Sequence, residues 1–249
     1  MCLMVFAIQA HPQFPFVFGG NRDEFYRRPT EPAHWWTAGD VAIWGGRDLE
    51  AGGTWLAIDR GGRLAAVTNV RDPGAARGAR SRGGLVTGFF EGGLAPRTYL
   101  EEVAARADEF SPFNLLVADL RSGPECLFLS STDRRILEPG PGIHALSNAT
   151  LDAPWPKVTR IKEGLRGLLS RPEGLEALEL ESRLFDLLRN RERAPDPDLP
   201  ATGVPLEWER ALSAIHIETP DYGTRSSAVI LLDGAGGIRH QERGFAPPA

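Results

Sequence analysis

The sequence predicts an α+β fold of two mainly antiparallel sheets with helices packed on their outer sides. The chain has 249 residues, of which 42% are hydrophobic, so it can bury a large core without disulfides or metals. Strand patterns and helix patterns follow one another in groups and do not alternate one by one. This order argues against a doubly wound parallel sheet and favours antiparallel pairing. We expect a single domain over residues 1–249.

The first predicted element is a β-hairpin. Residues 3–8 form a short apolar run of the kind found in buried strands, and residues 16–20 form a second one. Pro12 and Pro15 place a turn between these two runs. Both strands are therefore expected to lie side by side in the core.

The register of this hairpin decides which residues meet at its open end. A turn centred between Pro12 and Gln13 places Cys2 opposite Asp23. Adjacent strands lie about 4.8 Å apart, which allows side chains to touch. Cys2 is therefore expected to contact the polar residues 21–24, which follow the second strand.

The remaining elements are predicted from the same periodicities. Further strands are expected at residues 54–58, 63–69, 114–118, 126–129, 142–148, 215–218, 226–232 and 238–243. Helices are expected from Ser81 through Phe90 and at residues 98–110, 156–169 and 175–189. Four prolines between residues 194 and 205 predict an exposed loop.

Composition excludes several classes of function. The net charge of −5 argues against a nucleic-acid-binding protein, which would carry a basic surface. Two cysteines cannot form a disulfide framework, and the five histidines show no metal-ligand spacing, so no metal site is expected. No apolar run reaches membrane-spanning length, and the N-terminal segment lacks the features of a signal peptide. We therefore expect a cytoplasmic protein.

Cys2 is the strongest candidate for chemistry. Methionine aminopeptidase usually removes Met1 when the next side chain is small, and Cys2 would then carry both a thiol and an α-amine. Their ordinary pKa values are about 8.5 and about 7.7–8.0, so one residue would supply nucleophile and base. The alternative is an inert cysteine buried at a strand edge.

The cluster Asn21-Arg22-Asp23-Glu24 supplies charges next to that thiol. Arg22 would lower the pKa of the thiol, and Asp23 would orient the α-amine. Asn21 and Glu24 are candidate substrate contacts. The alternative is a solvated turn of ordinary charged residues.

Other candidates lie at the ends of later strands. Asn69 and Asn148 each end an apolar strand, where an amide can stabilise an oxyanion, although asparagine also simply terminates strands. Arg225 precedes an apolar strand and is a candidate for binding a carboxylate or holding the nucleophile network. Trp55 belongs to a tryptophan group that either packs in the core or lines an apolar substrate pocket.

These residues resemble the NRDE family, also called the Transport and Golgi organisation protein 2 family. The resemblance rests on an ordered set of motifs that spans nearly the whole chain. Besides Cys2 and Asn21-Arg22-Asp23-Glu24, these are Gly53-Thr54-Trp55, Thr68-Asn69-Val70-Arg71, Ser81-Arg82-Gly83, Leu146-Ser147-Asn148, Pro154-Trp155-Pro156-Lys157 and Tyr222-Gly223-Thr224-Arg225-Ser226-Ser227.

The family is similar, more distantly, to N-terminal-nucleophile hydrolases of the choloylglycine hydrolase and acid ceramidase type. This similarity implies a four-layer αββα sandwich and a site that cleaves linear amides with an N-terminal cysteine. In this chain the implied catalytic residues are Cys2, Arg22, Asp23, Asn69, Asn148 and Arg225. The arginine and aspartate are adjacent here, whereas the hydrolases space them further apart, and adjacent strand residues point to opposite faces.

Two functions follow from the resemblance. The first is a cysteine amidohydrolase acting on a small-molecule amide, with no cofactor required. The second is a non-catalytic carrier of haem or a lipid-like ligand, because the family is linked to lipid metabolism and haem trafficking; Cys2 or His34 would then ligate the haem. A partner-binding scaffold that uses the loop at residues 194–205 is a third interpretation.

Overall fold

A computed structural model describes residues 2–121, 123–170 and 174–247. It is an α+β structure with two antiparallel sheets, as the sequence predicts. The described strands are β1 (Cys2–Ile8), β2 (Phe16–Phe25), β3 (Thr30–Ala38), β4 (Val41–Asp48), β5 (Leu56–Asp59), β6 (Arg63–Asn69), β7 (Phe113–Asp119), β8 (Glu125–Ser130), β9 (Ile136–Leu137), β10 (Gly142–Leu146), β11 (Tyr222–Leu232) and β12 (Ile238–Gly244). The described α-helices are α1 (Gly83–Glu91), α2 (Pro96–Ala105), α3 (Pro156–Leu168), α4 (Ala177–Leu188) and α5 (Leu206–Leu212).

The chain divides into two compact units. The first contains residues 1–27 and 141–249, and the second contains residues 28–140. Each unit holds one of the two sheets with its own helices. The expectation of a single domain over the whole chain stays a prediction.

The first unit is built around a five-stranded sheet in the order β10-β1-β2-β11-β12. Leu3, Val5 and Ala7 of β1 point to one face and pack in a buried core with Ile161 of α3 and Leu184 of α4. Because side chains alternate along a strand, Cys2 and the other even-numbered residues of β1 point to the opposite face. The strand is buried along its whole length.

The second unit contains a seven-stranded sheet in the order β3-β4-β5-β6-β7-β8-β9. Its core joins α1 and α2 to one face of this sheet through apolar side chains such as Phe89, Leu100 and Leu115. Strands β6, β7 and β8 pair over nearly their full lengths. This unit carries the predicted residues Trp55 and Asn69.

The structure corrects several predicted elements. Strand β2 runs through residues 21–24, so the polar cluster lies inside the strand and does not follow it. Residues 215–218 are not a strand; one isolated bridge joins Glu218 to Gly223. The sequence patterns do not predict β3, β4, β9 and α5. No helix in the described part of the chain is long and apolar enough to cross a membrane.

Candidate active site

The hairpin of β1 and β2 places Cys2 opposite Arg22. The prediction of Asp23 at this position is therefore wrong by one residue. The backbone N–H of Gln9 donates to the carbonyl oxygen of Pro15 at 2.8 Å, so the turn is centred on Pro12 itself. Residues directly opposite each other in an antiparallel pair share a face of the sheet, so the Cys2 thiol and the Arg22 guanidinium lie on the same face.

Cys2 and Arg22 belong to a polar row that crosses four neighbouring chain segments. On the far side of β2, Ser226 of β11 pairs with Arg22. On the other side of β1, Met4 pairs with Leu146, and the same register carried two residues further aligns Cys2 with Asn148. We call Asn148, Cys2, Arg22 and Ser226 the Cys2 row. All four side chains are buried.

Ser147 links the end of β10 to the start of β1. Its hydroxyl donates to the Oδ1 atom of Asn148 at 3.0 Å and lies 3.5 Å from the carbonyl oxygen of Cys2. The Asn148 oxygen is thus occupied by its neighbour. Its amide nitrogen is the end that could donate to a substrate oxygen.

The loop that carries Asn148 is held by Asp152. This carboxylate accepts hydrogen bonds from the backbone N–H of Ala145 at 2.9 Å, from His144 Nδ1 at 2.8 Å and from Lys162 Nζ at 2.7 Å. Burial raises the pKa of Asp152, but these hydrogen bonds outweigh it and lower the pKa to about 2. The ionised carboxylate therefore fixes the loop at neutral pH.

Asp23 lies on the opposite, helix-facing side of the sheet, where it pairs with Thr224 and is influenced by the charge of Lys157. The backbone N–H of Ile217 donates to Thr224 Oγ1 at 2.9 Å, and the Thr224 hydroxyl donates to Asp23 Oδ1 at 2.7 Å. Lys157, the second residue of α3, is only 1% exposed, as is Asp23. Burial raises the pKa of the Asp23 carboxyl, while the charge of Lys157 and the Thr224 hydroxyl act to lower the pKa.

Lys157 is a site residue that is absent from the sequence-based prediction, although the sequence contains a signal for it. A lysine in the first turn of a helix is disfavoured because the helix dipole is positive there. Lys157 follows Pro156 directly, and Pro156 marks a helix start. A buried lysine at such a position indicates a carboxylate partner elsewhere in the fold.

The surroundings of Cys2 favour the protonated thiol. Burial raises its pKa, and the nearby Asp23 carboxylate raises it further. The positive charge of the N-terminus, Arg22 and a hydrogen bond from the backbone N–H of Asp23 act in the other direction without overcoming burial. A thiol of this kind needs a base within reach before it can attack a carbonyl.

Asn21 holds the scaffold together. Its Nδ2 atom donates to the carbonyl oxygens of Leu188 and Ile215, each at 2.9 Å, and its Oδ1 atom accepts from the Ser227 hydroxyl at 2.6 Å. The side chain is fully buried on the helix-facing side of the sheet. The geometry therefore supports a structural role for Asn21, while substrate binding by this residue stays a prediction.

Glu24 lies near the end of β2, and Arg225 lies in the β-bulge of the neighbouring strand β11. The Arg225 Nη1 atom donates to the carbonyl oxygens of Phe25 at 3.0 Å and Tyr26 at 3.1 Å, and the β-bulge between Thr224 and Ser226 places Arg225 outside the regular pairing. Burial lowers the pKa of Arg225, and the charge of Arg22 adds to this while Glu24 opposes it. Arg225 thus clamps the strand end close to the Cys2 row.

The remaining predicted residues belong to the second unit. Asn69 is the last residue of β6 and pairs with Phe113. Trp55 is buried just before β5. His34 lies on β3, with its Nδ1 atom 2.9 Å from the carbonyl oxygen of Pro32. Within the described residues, no group of three histidine, cysteine or carboxylate side chains could hold a metal ion.

The first unit places a thiol beside several hydrogen-bond donors. The Cys2 row combines a thiol, an amide, a guanidinium and a hydroxyl at one end of a sheet. A carboxylate with a buried lysine lies directly behind it on the other face. Such donors can stabilise the negative charge that develops when a thiolate attacks a carbonyl group.

The chain is similar to several solved structures. One is the mutant C2A conjugated bile acid hydrolase from Clostridium perfringens, with a TM-score of 0.49 and 8% sequence identity over 100% of this chain and 97% of that chain. Another is the Caenorhabditis elegans ortholog of N-acylethanolamine-hydrolyzing acid amidase, with a TM-score of 0.45 and 14% identity over 98% of this chain and 100% of that chain.

Similarity in sequence is much closer to another group of proteins. The model of the family described as Transport and Golgi organisation 2 matches residues 1–247. The Bos taurus Transport and Golgi organization protein 2 homolog is 35% identical, and the Homo sapiens homolog is 33% identical; each alignment covers 98% of this chain and 92% of the relative. The Drosophila melanogaster protein is 29% identical over 94% of this chain and 88% of its own length. The chain therefore belongs to the Transport and Golgi organisation 2 family.

Proposed function

We propose that this protein is a cysteine amidohydrolase that cleaves a linear amide, with Cys2 as the nucleophile after removal of Met1. The observation that carries the proposal is the position of Cys2 at the N-terminal end of a central strand, directly opposite Arg22. The backbone N–H of Asp23 donates to the same sulfur. A nucleophile at this point has its own α-amine as the nearest base once Met1 has left.

The first half-reaction would use that amine as the base. The α-amine takes the thiol proton, and the Cys2 sulfur attacks the amide carbon of the substrate, which forms a C–S bond. The Nδ2 group of Asn148 donates to the oxyanion that develops. The C–N bond then breaks, and the proton held by the α-amine passes to the leaving amine.

The second half-reaction would release the acid. A water molecule gives a proton to the α-amine and attacks the thioester carbon, so that a C–O bond forms and the C–S bond breaks. The proton returns to the sulfur, and the enzyme is restored. Asp23, held in place by the Thr224 hydroxyl, would stabilise the α-ammonium that exists between these steps.

The proposal is tested by amide hydrolysis with matched cysteine variants. The wild type, Cys2→Ala and Cys126→Ala are each incubated with a panel of N-acyl amines and N-acyl amino acids, and release of the free amine is measured. Cys126 is a suitable control because it is also a buried cysteine, on β8 of the second unit. We expect release by the wild type and Cys126→Ala and none by Cys2→Ala. Equal release by Cys2→Ala, or none by the wild type across the panel, would contradict the proposal.

A further inference from the structure

The first unit contains a polar cleft that the Cys2 chemistry does not use. It has a volume of about 210 Å³ and is lined by Arg191, Arg193, Ala211, Ala214, His216 and Glu218. Pockets for drug-sized ligands begin at about 300 Å³. The cleft is therefore suited to a small ligand or to one group of a larger ligand.

The charge of this cleft is predominantly positive. Arg191 and Arg193 come from alternate positions of one segment, and Arg189 of the same segment acts electrostatically on His216. Arg191 pairs with Glu218 at 2.9 Å, but their side chains are 61% and 36% exposed, so the pair is weak and an incoming anion can compete for the guanidinium. Arg193 forms no salt bridge with any residue in the described ranges.

His216 supplies an independent indication of a ligand. Its side chain is buried, and its backbone N–H donates to the carbonyl oxygen of Asn190 at 2.8 Å. Its ring packs edge-on against the ring of Phe245, with the two ring centroids 4.8 Å apart. The Nδ1 atom is buried and has no hydrogen-bond partner among the described residues. Buried ring nitrogens normally have such a partner. The imidazole is neutral at physiological pH, because burial together with Arg191 and Arg189 lowers its pKa to about 4 against the opposing effect of Glu218.

We propose that this cleft binds the phosphoryl group of a small phosphate or phosphate monoester. The fork of an arginine matches two oxygens of such a group, and two arginines can hold it from different sides. The neutral imidazole of His216 adds a polar ring to the wall without a further buried charge. A carboxylate offers only two oxygens, which a single guanidinium satisfies, so the two arginines favour a tetrahedral oxyanion. The site does not depend on the nucleophilic role of Cys2.

Calorimetric titration at constant ionic strength tests this proposal. The probes are inorganic phosphate, methyl phosphate and acetate, and the proteins are the wild type, Arg193→Gln and Arg183→Gln. Arg183 is a matched control, since it is a half-exposed arginine of α4 that pairs with Glu179 at 2.7 Å outside the cleft. Loss of one charge-assisted contact weakens binding by about tenfold or more. We expect this loss in Arg193→Gln only, and tighter binding of methyl phosphate than of phosphate would identify an ester as the ligand.

A second readout places the anion at His216. A nearby anion favours the protonated imidazole, so phosphate should raise the pKa of His216 above about 4 in an NMR titration of the wild type and leave it unchanged in Arg193→Gln. The proposal is overturned if phosphate does not saturate, if acetate binds as tightly as phosphate, if Arg183→Gln loses as much affinity as Arg193→Gln, or if the pKa of His216 does not respond.

Discussion

Replacing Lys157 by methionine tests the buried charge pair behind Cys2. Lys157 and Asp23 are each only 1% exposed, and Lys157 supplies a positive charge that favours the ionised Asp23 carboxylate. Methionine keeps most of the volume and removes the charge. The variant therefore leaves the buried carboxylate, whose Oδ1 atom accepts from the Thr224 hydroxyl, without that positive charge.

The expected cost is large because the buried Asp23 carboxylate is left without the positive charge of Lys157. Removing one of two buried charges that compensate each other costs about 3–5 kcal/mol of unfolding free energy. Lys162→Met is a matched control on the same helix, since Lys162 is 23% exposed and pairs with Asp152, which is 30% exposed. A pair at that exposure contributes about 1 kcal/mol or less.

Urea denaturation at pH 7.5 measures these costs in a double-mutant cycle. Asp23→Asn leaves Lys157 uncompensated and should also be strongly destabilising, whereas Asp23→Asn with Lys157→Met removes both charges. We expect the double variant to lose less than the sum of the two single losses, with a coupling of about 1–3 kcal/mol. Additive losses, or a loss in Lys157→Met no larger than in Lys162→Met, would refute the buried pair.

The pH dependence of the free energy of unfolding of Lys157→Met tests independently in which direction Lys157 shifts the pKa of Asp23. The pKa of Asp23 is already raised above its ordinary value of 3.8, chiefly by burial, and the loss of Lys157 raises it further. The folded state then keeps a proton that the unfolded state has lost, so stability falls as the pH rises from about 3.8 to the raised folded pKa. The fall in stability with pH should be larger or extend over a wider pH range in Lys157→Met than in the wild type. It should disappear when Asp23→Asn is added.

Three further predictions concern the same unit. A Cβ atom at Gly223 would lie 2.0 Å from the Tyr26 hydroxyl, whereas one at Gly244 meets nothing within 4 Å. In thermal unfolding, Gly223→Ala should therefore lower the Tm by several degrees. Gly244→Ala should change the free energy of unfolding by less than about 0.5 kcal/mol. Asn21→Ala leaves two buried carbonyl oxygens without its amide donor and should cost about 2–4 kcal/mol in urea titration; an unchanged midpoint would contradict its structural role. Because the pKa of Asp152 is lowered to about 2, its ionised carboxylate should stabilise the fold by about 2 kcal/mol above pH 4, and this stabilisation should be lost towards pH 2. In acid titration, Asp152→Asn should abolish this pH dependence of the free energy of unfolding.

The hairpin of β1 and β2 shows which structural features the sequence patterns predict and which they do not. Apolar runs and prolines correctly predict β1, β2 and the turn between them. They do not define the centre of that turn, which depends on the hydrogen bond from Gln9 to Pro15. A shift of one residue exchanges the faces of a strand. Arg22 therefore takes the place predicted for Asp23 beside Cys2.

Other parts of the fold depend on contacts that no local pattern contains. The segment of β3 and β4 holds three tryptophans and the pair Gly45-Gly46, which does not look like a strand because glycine weakens strands. In the structure a Cβ atom at Gly45 would lie 2.3 Å from the carbonyl oxygen of Leu56, so glycine allows neighbouring strands to approach. The charge of Lys157 acts on Asp23 only because α3 packs against the sheet that carries Asp23, which no local sequence pattern reveals.

The most direct test of the role of Cys2 is the intact mass of the purified protein before and after treatment with iodoacetamide at pH 8. Cys2→Ala and Cys126→Ala serve as comparisons. Burial raises the pKa of both thiols, but after loss of Met1 only Cys2 has an adjacent α-amine to take its proton, so Cys126, with a pKa of about 12, should stay unmodified in the folded protein. We expect complete loss of Met1 and a single adduct in the wild type and in Cys126→Ala, and no adduct in Cys2→Ala. Quantitative retention of Met1, or an adduct that persists in Cys2→Ala, would contradict a self-activating nucleophile at Cys2.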